Sequence, residues 1–186
     1  IVKLIIEAGA NVNLQNDDSD TALIEACYND GGSLEIVRLL IDAGTDVNIL
    51  GNNGYTPLII ASRIGNIETV KLLIKSGADV NLPCNSKNTA LHFATERRNL
   101  EIVRLLIDAG ADVNISGYYG LQPLIIASRV EDLEIVRLLI DAGANLDIKN
   151  YKGDTAIDIA SKMGNLEIVE LLIKSGADPN IQLNEW

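Results

Sequence analysis

Apolar and polar positions along this chain fall into two blocks that keep returning. One is typified by Leu100-Glu101-Ile102-Val103-Arg104-Leu105-Leu106-Ile107, which places apolar residues on more than one stripe of a helix. Such a helix must be covered on several sides, by a partner helix and by neighbours before and after it. A polar residue precedes each copy, at Ser33, Asn66, Asn99, Asp132 and Asn165, and reads as an N-cap. The second block is shorter and opens on Thr or Gln followed by Pro or Ala. Its copies are Thr21-Ala22-Leu23-Ile24, Thr56-Pro57-Leu58-Ile59, Thr89-Ala90-Leu91-His92, Gln122-Pro123-Leu124-Ile125 and Thr155-Ala156-Ile157-Asp158. Pro is tolerated at a first helical position, so this block predicts a short helix, over 57–64 in one copy.

A third landmark closes each longer helix: Gly9-Ala10-Asn11-Val12-Asn13, Gly44-Thr45-Asp46-Val47-Asn48, Gly77-Ala78-Asp79-Val80-Asn81 and Gly110-Ala111-Asp112-Val113-Asn114. Looser copies are Gly143-Ala144-Asn145-Leu146-Asp147 and Gly176-Ala177-Asp178-Pro179-Asn180. The glycines step by 35, then by 33 four times. A glycine here supplies the left-handed residue that ends a helix. A fixed step of this size signals a stacked array in which each unit contacts its neighbours along one continuous core.

Turn, helix, tight break and helix, with T-P-L near the start and G-A-D-V-N at the end, resembles the ankyrin repeat. The resemblance implies an all-α solenoid of stacked helix-turn-helix units with short β-hairpin or turn fingers. It divides the chain, a single domain over 1–186, into a partial repeat at 1–15, repeats at 16–50, 51–83, 84–116, 117–149 and 150–182, and a tail at 183–186. Three departures stand out. The family often has His after T-P-L; only His92 keeps it, with Ile24, Ile59, Ile125 and Asp158 elsewhere, so turn bonding must differ there. The segment Asn29-Asp30-Gly31-Gly32-Ser33 lengthens one inter-helix loop by two residues. The glycine of the inter-helix break survives at Gly65 and Gly164 but is Arg98 and Glu131 in two units, which predicts strain or a different turn.

Composition narrows the function. The 186 residues are 47% apolar but only 4% aromatic, a core of Leu, Ile, Val and Ala. A formal net charge of −11 repels phosphate backbones and anionic lipid, so neither nucleic acid nor membrane is an expected partner. No apolar run approaches the roughly 20 residues of a bilayer span. Cys27 and Cys84 occupy non-equivalent positions and read as free thiols of a reducing compartment, with the cytoplasm as the expected location. Ile- and Asn-rich usage also leaves open an effector secreted into a host cell. The sequon at Asn114-Ile115-Ser116 uses an Asn of the repeated V-N step and reads as structural.

No catalytic, cofactor or metal site is expected. One histidine, His92, cannot build a His-paired metal site, and no Gly-rich phosphate loop is present. Asp17-Asp18-Ser19-Asp20 lacks the Gly and distal Glu of a calcium loop. Glu35/Arg38, Glu68/Lys71, Glu101/Arg104 and Glu134/Arg137 read as i,i+3 pairs on a solvated back.

Function is expected where the copies differ: the turn tips before T-P-L and the ends of the first helices. By the resemblance these line the groove and finger rim where ankyrin partners bind. The rim comprises Asp17, Asp18 and Asp20; Asn52, Asn53 and Tyr55; Asn85, Ser86 and Asn88; Tyr118, Tyr119 and Leu121; Tyr151, Lys152 and Asp154. The helix-end row runs through Tyr28 and Asn29, Arg63 and Ile64, Glu96 and Arg97, Arg129 and Val130, and Lys162 and Met163. All five tyrosines fall in these slots, and Tyr and Arg dominate binding hot spots. The expected partner-binding residues are Tyr28, Tyr55, Arg63, Arg97, Tyr118, Tyr119, Leu121, Arg129, Tyr151, Lys152 and Lys162. Arg63, Arg97, Arg129 and Lys162 form a cationic row suited to an acidic segment, whereas Asp17–Asp20 would suit a basic one.

Two further readings stay open. Ile1–Ile6 resembles the second helix of a unit whose first is absent, and Leu166–Ile173 is as apolar as an internal copy. The array is therefore expected to continue at its N-terminus, as the targeting arm of a larger enzyme or effector. Its apolar ends could instead self-associate. Trp186 is either a cap over the last helix pair or the start of a further segment.

Overall fold

In a computed structural model, residues 2–28 and 34–178 are described. The expectations for Asn29–Ser33, Pro179–Asn180 and Trp186 lie outside them. The helices run α1 Val2–Glu7, α2 Ala22–Tyr28, α3 Leu34–Asp42, α4 Pro57–Ile64, α5 Ile67–Lys75 and α6 Ala90–Glu96. They continue as α7 Leu100–Asp108, α8 Pro123–Arg129, α9 Leu133–Asp141, α10 Ala156–Met163 and α11 Leu166–Lys174. Even-numbered helices pack on one another in sequence and form one layer; odd-numbered helices form the other. The core lies between the layers. Leu58, Ile59, Leu91, Ile102, Leu106 and Ile125 are among its most fully buried side chains.

Local chemistry sets the helix limits. The oxygens of Asn66, Asn99, Asp132 and Asn165 each accept the N–H three residues on, at 3.1 Å. Each cap is worth about 1 kcal/mol. At the other end Gly44, Gly77, Gly110 and Gly143 take φ of 83–89°. Arg98 and Glu131 take φ of 57°, the left-handed turn that Gly65 and Gly164 make freely at the same place. The break is thus the same turn, made at a steric cost of roughly 1–2 kcal/mol per non-glycine residue.

The V-N asparagines join successive pairs. Asn48, Asn81 and Asn114 each accept a backbone N–H of the next loop, at 2.7–2.8 Å, and donate to a glycine carbonyl there, at 3.1–3.2 Å. The Asn114 amide is thereby engaged, in keeping with a structural reading of its sequon.

The fingers are turns rather than hairpins. Among the described residues, strand pairing is limited to one isolated bridge between Gln15 and Thr21. Each five-residue tip, 16–20, 51–55, 84–88, 117–121 and 150–154, is closed by a 2.9 Å bond from its first N–H to its last carbonyl. The tips come in two alternating forms. In 16–20, 84–88 and 150–154 only the fourth residue is left-handed: Ser19, Lys87 and Gly153. In 51–55 and 117–121 both the third and fourth are: Asn53 and Gly54, Tyr119 and Gly120.

The links between tips alternate too. Asp20 and Asn88 each accept the second N–H of the following tip, from Asn52 and Tyr118, at 2.8 Å. At the other junctions the second N–H of the following tip, from Asn85 and Tyr151, donates instead to a backbone carbonyl, that of Asn53 and Tyr119, at 3.0 Å. Asp20, expected on the rim, is therefore a buried inter-finger acceptor.

One ion-pair expectation is corrected. Of the four i,i+3 pairs, only Glu68–Lys71 closes among the described residues, at 3.2 Å, and Lys71 also reaches Glu101 at 3.1 Å. The others sit on exposed helix positions, where pairing gains little against side-chain entropy. The outer faces of the end helices remain apolar: Leu4 and Ile5 of α1, and Leu166 and Ile173 of α11, are exposed.

Candidate partner-binding surface

Tip 117–121 shows how the stack can present aromatic side chains. Gly117 and Gly120 bring its backbone so close to its neighbours that a Cβ on Gly117 would collide with His92, and one on Gly120 with the Tyr151 ring. That approach leaves Tyr118 and Tyr119 pointing away from the stack, 51% and 60% exposed. Their rings lie 4.0 Å apart between centroids, and the Tyr118 hydroxyl donates to that of Tyr119 at 3.1 Å. This bond raises the Tyr118 phenol above its ordinary pKa. Tyr151 on the next tip is 71% exposed. With the Tyr151 amide held by the Tyr119 carbonyl, three tyrosines form one ledge.

Tip 51–55 has the same backbone. Asn53 at φ 57°, ψ 19° corresponds to Tyr119 at φ 56°, ψ 23°. Asparagine tolerates the left-handed region better than tyrosine does. Two tyrosines therefore occupy positions where the same turn is built elsewhere in this chain by two asparagines.

A second aromatic cluster lines the even-helix layer. The Arg63 guanidinium lies 4.7 Å from the Tyr55 ring centre and 5.8 Å from that of Tyr28. Tyr55 meets Phe93 edge-on at 5.7 Å. Burial, with the Asp20 charge, raises the Tyr28 phenol above its ordinary pKa, partly opposed by Arg63. Phe93 was not among the residues expected from sequence. Its signal was variation at one slot, where Glu25, Ile60, Phe93, Ile126 and Ile159 correspond.

The cationic row is less free than its composition implies. Arg63 is stacked as above, Arg129 lies 3.4 Å from Glu96, and Lys162 lies 2.6 Å from Asp154. Arg97, on the exposed end of α6, makes no ion pair among the described residues. Leu121 is half-buried; its carbonyl meets His92 Nε2 at 3.1 Å. Lys152 is exposed beside Tyr151. Lys87, exposed on tip 84–88, was overlooked between two rim positions.

His92 is a structural residue. The Thr89 N–H donates to its Nδ1 at 3.1 Å, so the neutral ring carries its proton on Nε2 and donates to the Leu121 carbonyl. Burial lowers its pKa to about 4. At the matching place Asp158 keeps only the local half, accepting from the Thr155 N–H and hydroxyl at 2.8 Å. Among the described residues no group of three or more His, Cys, Asp or Glu is placed to hold a metal ion. No helix among them is long and apolar enough to cross a membrane.

A family model described as ankyrin repeats (3 copies) matches residues 1–84, 30–117 and 116–182. The chain belongs to the ankyrin repeat family. Ankyrin repeats are protein–protein interaction modules, and their fold is typically a non-catalytic one. Among curated proteins no match to this ankyrin array is found.

Proposed function

We propose that this array is a non-enzymatic binding module whose partner protein docks on the finger rim and the groove beside it, with Tyr118 and Tyr119 at the centre. One observation carries the reading: two large aromatics stand half-exposed on a turn that asparagines build equally well two units earlier. Tyr119, placed against backbone preference, and both rings, held outside the core, are accounted for by contact with a partner. The stacked Tyr28–Arg63–Tyr55 cluster extends the surface across the even helices. The two free, buried thiols favour a reducing, cytosolic setting.

The test replaces Tyr118 and Tyr119 by Asn, which rebuilds the tip at 51–55. Affinity capture with the intact array, followed by titration of the captured partner, should show a loss of a few kcal/mol for this variant. Its thermal midpoint should be unchanged or slightly raised. Equal affinity for both proteins removes the site.

A second reading rests on the apolar groove of about 280 Å³ lined by Val2, Ile5, Ile6, Val12, Leu14 and Leu40. We propose that this end face supports contact with another helix pair, either in a longer parent protein, as a targeting arm, or in a second copy. Light scattering before and after Ile5→Lys distinguishes the second copy, which requires a mass that falls on substitution.

A further inference from the structure

We infer that the three neighbouring tips 84–88, 117–121 and 150–154 form a docking ledge for an extended acidic segment of the partner protein. The inference rests on the rim reading above and adds the chemistry of what is bound. The chain is acidic overall, at −11, but its charge is not spread evenly over the fingers. Tip 16–20 carries three aspartates, whereas these three tips together carry Lys87, Lys152 and a single aspartate, Asp154. Asp154 is already held by Lys162 at 2.6 Å. Lys87 and Lys152 make no ion pair among the described residues, unlike Lys71 on the opposite layer, which is gripped by two glutamates.

Geometry puts both lysines beside the tyrosines. Lys87 adjoins Asn88, whose side chain accepts the Tyr118 N–H, and Lys152 adjoins Tyr151, whose N–H is held by Tyr119. The order across the stack is thus lysine, tyrosine pair, tyrosine, lysine. At physiological salt, charges beyond roughly 8 Å are largely screened, so the local lysines outweigh the net charge of the molecule. A strand crossing successive fingers would lay its flat groups on the rings and its carboxylates against Lys87 and Lys152. The phenol hydroxyls of Tyr119 and Tyr151 can donate to further carboxylates, which a basic segment could not exploit in the same way. Basic segments would instead be drawn to Asp17 and Asp18 at the other end of the rim.

Fluorescence anisotropy with labelled peptides of alternating Glu and Pro, Gln and Pro, or Lys and Pro tests this on the intact chain. Proline keeps all three probes extended and gives each an equal surface for stacking. The Glu-Pro probe should bind about tenfold more tightly than the Gln-Pro probe. Lys87→Glu with Lys152→Glu should cut that affinity about tenfold or more, Tyr118→Asn with Tyr119→Asn should do likewise, and Asp17→Asn with Asp18→Asn should not weaken it. No measurable Glu-Pro binding, tighter binding of the Lys-Pro probe, or indifference to the lysine substitutions overturns the inference. If the captured partner is lost by the tyrosine variant but kept by the lysine variant, the rim reading stands and the acidic segment falls. If neither variant loses it, both fall.

Discussion

The Asp147 carboxylate lies 3.5 Å from the Asp178 N–H, where the equivalent asparagines close the same bond at 2.7–3.0 Å. A carboxylate cannot donate, so it also lacks the second bond that Asn48, Asn81 and Asn114 make to a glycine carbonyl. Asp147→Asn should complete this rung and raise stability by about 0.5–1.5 kcal/mol. Asn81→Ala, which breaks an intact rung, should cost about 1–2 kcal/mol. Urea midpoints of the two variants, moving in opposite directions, are the check.

Glu131 holds a left-handed turn at φ 57° that Gly164 makes one unit later. Glu131→Gly relieves the steric cost but adds freedom to the unfolded chain, so the net gain is about 0.5–1 kcal/mol. Arg98→Gly should gain less, because Arg98 makes an ion pair with Asp132 at 3.3 Å whereas Glu131 only accepts a long 3.5 Å bond from the Asn165 amide. A Glu131→Gly variant that melts below the parent contradicts this account of the break.

His92 makes stability depend on pH. Its folded pKa, about 4, lies below the ordinary 6.5 of the unfolded chain. The unfolded state therefore binds the proton first as pH falls, and stability from the neutral buried ring is full above about 6.5 and drains away toward 4. His92→Ile, the residue found at Ile59 and Ile125, removes this dependence. The stability gap between parent and variant should narrow by a few kcal/mol between pH 7 and pH 4.5 in urea titrations. A gap independent of pH would show that the ring is not held neutral.

Cys27 is buried and its thiol is pushed up to about 12 by loss of solvent. Cys84 is also buried, against the Ser86 hydroxyl at 3.1 Å. Neither should react with a thiol reagent at pH 8 in the native protein, and both should react in denaturant. Rapid labelling of Cys27 in the folded state would mean that α2 opens locally.

Helices, caps and breaks were legible in the sequence because each depends on a few adjacent residues. Pro57–Ile64 matches its expected limits, and Asn66, Asn99, Asp132 and Asn165 cap as their chemistry requires. What was hidden depends on partners about thirty residues away. Arg129 meets Glu96, Lys71 reaches Glu101, and Asp20 turns inward to Asn52, choices that spacing along one helix cannot reveal. The tyrosines were visible as residues that differ between copies. Their grouping into a ledge and an arginine-stacked cluster was not, because it arises only when neighbouring units are stacked.

The alternation of the tips has a consequence for how such an array can change length. Gly51 and Gly117, which begin the two tips of the same form, are 66 residues apart, and the stretches Pro57-Leu58-Ile59-Ile60-Ala61-Ser62-Arg63 and Pro123-Leu124-Ile125-Ile126-Ala127-Ser128-Arg129 are identical. Removing one unit would set two tips of like form side by side, a pairing found at no junction among the described residues. Removing two would restore every junction. A change of length that keeps every junction of a kind already present is therefore a change of two units.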